Sequence, residues 1–407
     1  MNYNKIFNSL HKLEKWISKN GDAGFDPYDV KGLNLKTMNL MKELEEMTFL
    51  QIIQRILLIE IADGYFPKIT RKLLHIPPKI HPTSQGLLFS SYLNLYQLYP
   101  KKDYLRKAEK CKNWLIENRI MNYNNYCWGT PFSWKSGSTY YNIGTPFAVV
   151  CAWIGEAFYK NYQQFNDQES LQICKSICEF FINDLQISNV SKDKICFSYS
   201  PLKKDYVNNV NLFVAEFLIK IGTITNNLVY LDYGHKALNY TLSNQMPNGS
   251  IPYFGKEAKE KFKTDLYHSG YEIRMLYSIW KLTKNDEILQ ATKRYLQFFM
   301  NNYFHNGIIP KLTPEKGFLV DITACAEVIL VFSELRKDFH IDEQFINNTV
   351  NWIICNMQTK MGWFIYRIKK NRYKVKIPYI RWGEAWMMLA LSNLLKMEYN
   401  SENSDLG

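Results

Sequence analysis

Helical stretches that are apolar on nearly every side recur about every 60 residues, starting near His81, Ile143, Val207, Asp265, Phe318 and Pro378. Each follows a helix with one apolar and one charged face, as where Glu287, Lys293 and Arg294 oppose Leu289, Tyr295 and Phe298. The pattern predicts these amphipathic helices over 4–19, 102–119, 168–186, 229–246, 286–303 and 342–358. A helix apolar all round must be covered on most sides, and one hairpin cannot cover itself. Six hairpins of similar length therefore predict an all-α (α/α)6 toroid, with apolar helices inside and amphipathic ones outside. We expect one domain over 1–400, with a helical insertion at about 35–75 and a disordered tail over 401–407.

The connections orient this ring. Inner-to-outer links are short, as at 100–101, 164–167 and 284–285, whereas outer-to-inner links are long, as at 120–142, 188–206, 247–264 and 359–377. All the long loops then fall on one face, beside the N-termini of the inner helices. Long loops on a rigid scaffold carry binding and catalysis, and helix N-termini favour negative charge.

Composition sharpens the picture. The 28 Tyr and 10 Trp exceed what a core needs, and aromatics at a cavity mouth suit stacking on sugar rings. The net charge of +12 favours an anionic partner. The eight cysteines sit mostly in apolar helical patterns with no CxxC pair, which suits packing in a reduced cytoplasmic compartment. Residues 1–16 contain no apolar leader core, and 49–62 is broken by Gln51, Gln54, Arg55 and Glu60. A cytoplasmic protein is expected, with the inner face of the membrane as its alternative station. No P-loop, GxGxxG, HExxH or GxSxG is present, so neither cofactor nor metal is expected.

Candidate chemistry gathers at the inner-helix starts. Asp265, His268 and Glu272 are spaced to share a face, and either acid could orient the imidazole as a general acid or base. Asp321 starts the fifth inner helix, and Arg381, Trp382, Glu384 and Trp386 the sixth. The catalytic candidates are Asp265, His268, Asp321 and Glu384; the substrate-binding candidates are Asp26, Tyr28, Trp128, Trp134, Tyr253, Tyr271, Arg381, Trp382 and Trp386. The plainer alternatives are that the acids are helix caps, Glu384 pairs Arg381, and the aromatics seal the hairpins. The sixth loop adds Arg367, Lys369, Lys370, Arg372, Lys374 and Lys376 with no acid among them, either an anion-binding run or a solvated hairpin.

Several of these motifs stand in a familiar order: Gly24-Phe25-Asp26-Pro27-Tyr28-Asp29, His81-Pro82-Thr83-Ser84-Gln85-Gly86-Leu87, Gly144-Thr145-Pro146, Pro247-Asn248-Gly249-Ser250-Ile251-Pro252-Tyr253 with 265–271, and Arg381-Trp382-Gly383-Glu384-Ala385-Trp386. In them the chain resembles the VpsJ-like family of bacterial polysaccharide-biosynthesis proteins over most of its length. The resemblance implies an (α/α) toroid, related in fold to six-hairpin glycosidases, lyases, epimerases and terpenoid cyclases. It also implies a place in capsule, O-antigen or exopolysaccharide synthesis. His81 departs from the Asn expected there. The Gln…Gly…aromatic pattern at 245–253 and 358–363 also resembles terpenoid-cyclase repeats, but the DxDD motif is missing.

Three readings follow. The first is an enzyme on an acidic surface glycan, using two carboxylates for hydrolysis or a base and a cation for lyase or C5-epimerase chemistry. The second is a non-catalytic glycan-binding or assembly protein. The third is a peripheral membrane factor for a lipid-pyrophosphate glycan, drawing on the basic and apolar stretch 66–79.

Overall fold

The computed structural model describes residues 3–34, 37, 39–42, 44–136, 139–259, 264–315 and 317–404, with the backbone alone for 398–404. Among them, twelve helices build two concentric rings. The outer helices are α1 (Tyr3–Asn20), α3 (Lys102–Glu117), α5 (Gln168–Asn183), α7 (Leu228–Leu242), α9 (Asp286–Asn302) and α11 (Glu343–Met357). The inner helices are α2 (Pro82–Leu98), α4 (Ala148–Phe165), α6 (Asn208–Thr225), α8 (Leu266–Thr283), α10 (Ile322–Phe339) and α12 (Ala385–Ser404). Each inner helix packs on the next, and α12 packs on α2, so the inner ring is closed. The fold is the (α/α)6 toroid that the apolar beat predicts.

Inner-to-outer turns are two or three residues long. They pass through a left-handed residue at Asn166, Asn226, Lys284 and His340, which ends the helix and reverses the chain. The outer-to-inner loops are long and hold short hairpins, such as 134–136 with 139–141 and 187–191 with 194–197. The sequence pattern gave no sign of these strands.

Three inner helices start later than periodicity suggests. Gly144 is left-handed, Pro146 bridges to Gly129 and Phe147 is an extended N-cap, so α4 begins at Ala148 rather than near Ile143. Val320–Asp321 pairs as a strand with Arg367–Ile368, delaying α10 to Ile322. A π-helical turn, Ile380–Glu384, precedes α12, which then continues to Ser404. Of the tail expected over 401–407, residues 405–407 lie outside the described residues.

The insertion leaves the ring after Ala23–Gly24 and returns at Lys79–Ile80, two segments that pair with each other. It contains a short 3-10 turn (Leu44–Glu46), a helix over Phe49–Arg55 continuing as a π-helical segment to Asp63, and a helix over Pro67–Leu73. Of the region where the insertion was expected to begin, residues 35, 36, 38 and 43 lie outside the described residues. Its base is held by Arg71, whose side chain is fully buried, reaching Asp29 at 2.8 Å, the Asp26 carbonyl at 2.6 Å, and Asp63.

The Gln…Gly repeats have a structural role. Gln245 donates to the carbonyls of Gly249 and of Ala291 on α9, both at 2.9 Å. Gln358 donates to Gly362 at 2.8 Å and to Ser9 on α1 at 2.9 Å. Each amide ties its turn to the next outer helix around the ring. Gly249 and Gly362 have φ of +90° and +106° and lie against that helix's backbone, where a side chain has no room.

Past its apolar belt the ring interior is charged. Lys220 meets Glu156 at 2.5 Å and Glu216 at 2.6 Å, and Arg274 bridges Glu327 and Glu334 at 3.1 and 2.8 Å. Burial outweighs Arg274 and pushes Glu327 up to about 7. A raised carboxyl contributes stability that is full below its unfolded pKa near 4.5 and lost as pH rises through about 7. Glu327→Gln is therefore expected to flatten the fall in melting temperature over that window, measured by thermal denaturation across pH.

Packing between inner helices leaves no spare volume at Gly155 on α4. A Cβ there would sit 2.5 Å from the Phe217 ring of α6. Gly155→Val should cost about 1–3 kcal/mol through overpacking, seen as a lower thermal midpoint.

Candidate active site

The N-termini of the inner helices meet on the long-loop face, and their caps supply the polar groups of the site. Asp265 caps α8 by accepting the His268 backbone N–H at 3.0 Å. The same carboxylate reaches the His268 ring, with Oδ2 2.8 Å from Nδ1. In the tautomer that donates Nδ1–H to this carboxylate, the lone pair is on Nε2. The imidazole keeps 18% of its surface exposed. It lies among Tyr267, Tyr253 and Tyr271, at ring-centroid distances of 4.3, 4.8 and 6.1 Å. Burial pushes all three phenols above their ordinary range, so they stay protonated at neutral pH. Glu272, the other partner weighed for His268, turns instead to the Tyr295 hydroxyl on α9 at 2.5 Å. Burial keeps its carboxyl well above the usual range.

Two arginines face the same mouth, each gripped by an aspartate. Arg381, on the π-turn before α12, makes a fork to Asp26 with bonds of 2.5 and 2.6 Å. Burial alone would raise the Asp26 carboxyl, but Arg381 outweighs it and holds the pKa below the ordinary value. Arg367 lies directly opposite Asp321 in the small antiparallel sheet, and its Nε donates to Oδ2 at 2.6 Å. Asp321 also caps α10 through Thr323 N–H at 2.9 Å and accepts from the Trp382 indole at 3.3 Å. Lys31 stands 4.1 Å from the Tyr28 ring centre; burial and the Arg367 charge push its pKa down to about 8.

Aromatic side chains join these groups. Trp382 packs edge-on to Tyr28 and Tyr267, at 5.5 and 5.7 Å, and carries Arg381 over its ring at 4.6 Å. Tyr28 continues to Trp134, which stacks on Tyr141 at 5.0 Å and whose buried indole N–H has no protein partner. Tyr271 and Trp386 pack against Trp153 and make the floor. His81 caps α2 with Nδ1, accepting from Thr83 N–H at 3.1 Å. Burial and Arg381 lower its pKa to about 3, so it is neutral. It lines a small cavity beside Asp26 and Arg381, together with Lys79 and Ser84.

The structure thus brings together Asp265, His268, Asp321, Asp26, Tyr28, Trp134, Tyr253, Tyr271, Arg381, Trp382 and Trp386. It does not bring in Trp128 or Glu384. Trp128 is wholly buried, donating its indole N–H to the Leu115 carbonyl at 2.8 Å and stacking on Phe158, so it is a core residue. Glu384 is also wholly buried and accepts the Phe364 backbone N–H at 3.0 and 3.2 Å. It does not pair Arg381, and burial keeps its carboxyl well above the usual range. The sequence reading missed Lys31 as a site residue and took Arg367 for one more cation of the basic run. The signal available for Arg367 was its place two residues after the buried Ile365, on the same side of an extended segment.

The comparisons with known proteins agree with this architecture. A sugar epimerase from a ruminal bacterium superposes with a TM-score of 0.63 over 96% of this chain and 98% of its own, at 12% identity. A family 76 glycoside hydrolase from a bovine Bacteroides thetaiotaomicron strain gives 0.63 over 97% and 78%, at 11% identity. A polysaccharide lyase gives 0.60 over 99% of both chains, at 10% identity. The chain has the fold class of these carbohydrate-active enzymes. No family model and no curated protein matches it, so the resemblance to the VpsJ-like family rests on the sequence motifs alone.

The Asp26–Arg381 pair joins the insertion base to the last inner helix. Removing one partner of a buried pair costs about 3–5 kcal/mol. Because the Asp26 pKa is lowered, its contribution is full above the unfolded value near 3.8 and is lost as pH falls below it. Asp26→Asn should lower the melting temperature at neutral pH, with the gap to wild type shrinking on acidification.

Proposed function

We propose that this protein is an enzyme that moves a proton on an acidic sugar, of the lyase or epimerase type, in bacterial surface-polysaccharide synthesis. One observation carries the reading. The carboxylates at the mouth are already engaged by Arg381, Arg367 and His268, whereas the imidazole, oriented by Asp265, keeps Nε2 available among protonated tyrosines, of which Tyr267 packs on the Trp382 ring that carries Arg381. Hydrolysis would need two carboxyl groups facing the glycosidic bond across the substrate.

In this mechanism His268 Nε2 takes the proton from the carbon next to the sugar carboxylate. Asp265 holds the ring in the required tautomer and stabilises the imidazolium that forms. Arg381 and Arg367 keep N–H groups beyond those bound to their aspartates, and these stabilise negative charge developing on the substrate carboxylate. Tyr267 or Tyr253, held protonated against the imidazole, gives a proton to the leaving oxygen in elimination; epimerisation instead needs a proton delivered to the opposite face of the sugar. Tyr28, Trp134 and Trp382 supply faces for sugar stacking. The likeness in fold to an epimerase and a lyase supports the reaction class, and the motif resemblance supports the polysaccharide setting.

The test is solvent-deuterium incorporation into uronate-containing oligosaccharides, followed by NMR alongside ultraviolet detection of unsaturated products. His268→Ala should lower the rate by about 10²–10⁴-fold, and Asp265→Asn should lower it with the imidazole still present. Glu384→Gln, which keeps the acceptor for Phe364 N–H, should stay close to wild type. Exchange that survives His268→Ala would overturn the assignment. Hydrolysis without exchange, abolished by Asp321→Asn, would move the protein to the glycosidases.

A further inference from the structure

The insertion carries an apolar face that the ring does not use. In the helix running from Phe49 to Asp63 no residue is buried. Phe49, Leu50, Ile53, Ile56, Leu57 and Ile61 are all exposed, Phe49 at 79% and Leu50 at 63%. Positions 50, 53, 57 and 61 recur at helical spacing and form one stripe. The next helix is turned so that Thr70 and Arg71 face inward. Ile69 and Leu73 then face outward, as does Phe66 just before it, Leu73 at 72% exposure. Scattered exposed apolar residues are ordinary, but this density in one short stretch marks a docking surface.

Charge identifies the occupant. The basic hairpin 367–375 packs against the insertion: Lys369 lies over the Tyr65 ring, at 3.4 Å, and the Tyr373 hydroxyl donates to the Tyr65 carbonyl at 2.9 Å. Lys370, Arg372 and Lys374 stand exposed on that hairpin, and Lys68 and Lys72 stand exposed on the insertion. Outside its base, the described acids of the insertion are the exposed Glu45, Glu46 and Glu60, and Asp63, which is paired with Arg71; Glu45 and Glu46 precede the stripe, and the hairpin 367–375 carries no acid. A second copy docked face to face would set these cations against each other. An anionic lipid surface meets both the apolar stripe and its basic border.

We infer that the insertion docks the protein on an anionic membrane surface, lying in the interface without crossing it. Among the described residues no helix is long and apolar enough to span a bilayer. The docked face adjoins the site through the hairpin 367–375, which carries Arg367 against Asp321 at one end and Tyr373 against Tyr65 of the insertion. Docking therefore holds the mouth beside the lipid headgroups, where a glycan carried on a lipid anchor is presented. That consequence rests on the proposed function; the docking does not.

The experiment is co-sedimentation of the full chain with vesicles of phosphatidylcholine alone and of phosphatidylcholine with phosphatidylglycerol, at low and high salt. Wild type should bind the anionic vesicles at low salt. Leu50→Ser/Leu57→Ser/Leu73→Ser, which alters exposed positions only, should lose binding while keeping its circular dichroism spectrum. Lys72→Gln/Lys370→Gln should bind about fivefold more weakly per charge removed, and only to the anionic vesicles. His268→Ala should bind as wild type does, which separates failure of docking from failure of the catalytic reading. Equal sedimentation of wild type and the triple-serine variant would overturn the inference. So would a wild-type dimer in solution that the serine variant dissolves while neither form sediments with vesicles.

Discussion

Closure of the ring is the constraint on which the rest depends. Six hairpins in an open arc would leave the apolar sides of the first and last inner helices in water. The seam is made where α12 packs on α1 and α2, where Gln358 bonds Ser9, and where Arg381 grips Asp26. The last of these contacts also belongs to the candidate site, so the geometry of the mouth is a by-product of how the ring is sealed. An alteration at the seam therefore reshapes the mouth even where it lies outside it.

Electrostatics at the mouth follow one plan. Each arginine is fixed by a buried aspartate that is itself fixed by a helix cap or turn: Asp321 through Thr323 N–H, and Asp26 through Tyr28 N–H at 2.9 Å. The histidine is treated in the same way by Asp265. Carboxylates here orient other groups, and the groups they orient keep their free ends toward the opening. Such preorganisation is what a site needs if it is to meet developing negative charge without rearranging.

Much of the ring was legible because its physics is periodic. The outer helices fall where one apolar face recurs at helical spacing, and the turns at Asn166 and Asn226 use residues suited to a left-handed cap. What could not be read was the partner of each residue across the ring. Glu384 and Arg381 are near in sequence, but the fork of Arg381 goes to Asp26, 355 positions away. Trp128 and Trp134 share one aromatic loop, yet one fills the core and the other lines the mouth. Arg367 looked like one more surface cation until strand register set it opposite Asp321. Local pattern specifies the elements; these pairings depend on which loops the closed ring brings together.

The position of the seam has a consequence for synthesis. During translation α1 and α2 emerge well before their mate α12. Until then the apolar flanks of the first hairpin lack their native cover, and contacts so distant in sequence form late because the chain between them must first be ordered. A ribosome-bound or truncated chain can fold its middle hairpins one upon another, but it has no mouth. The candidate site comes into being only when both sides of the seam have been made, because Asp26 and Arg381 lie 355 positions apart.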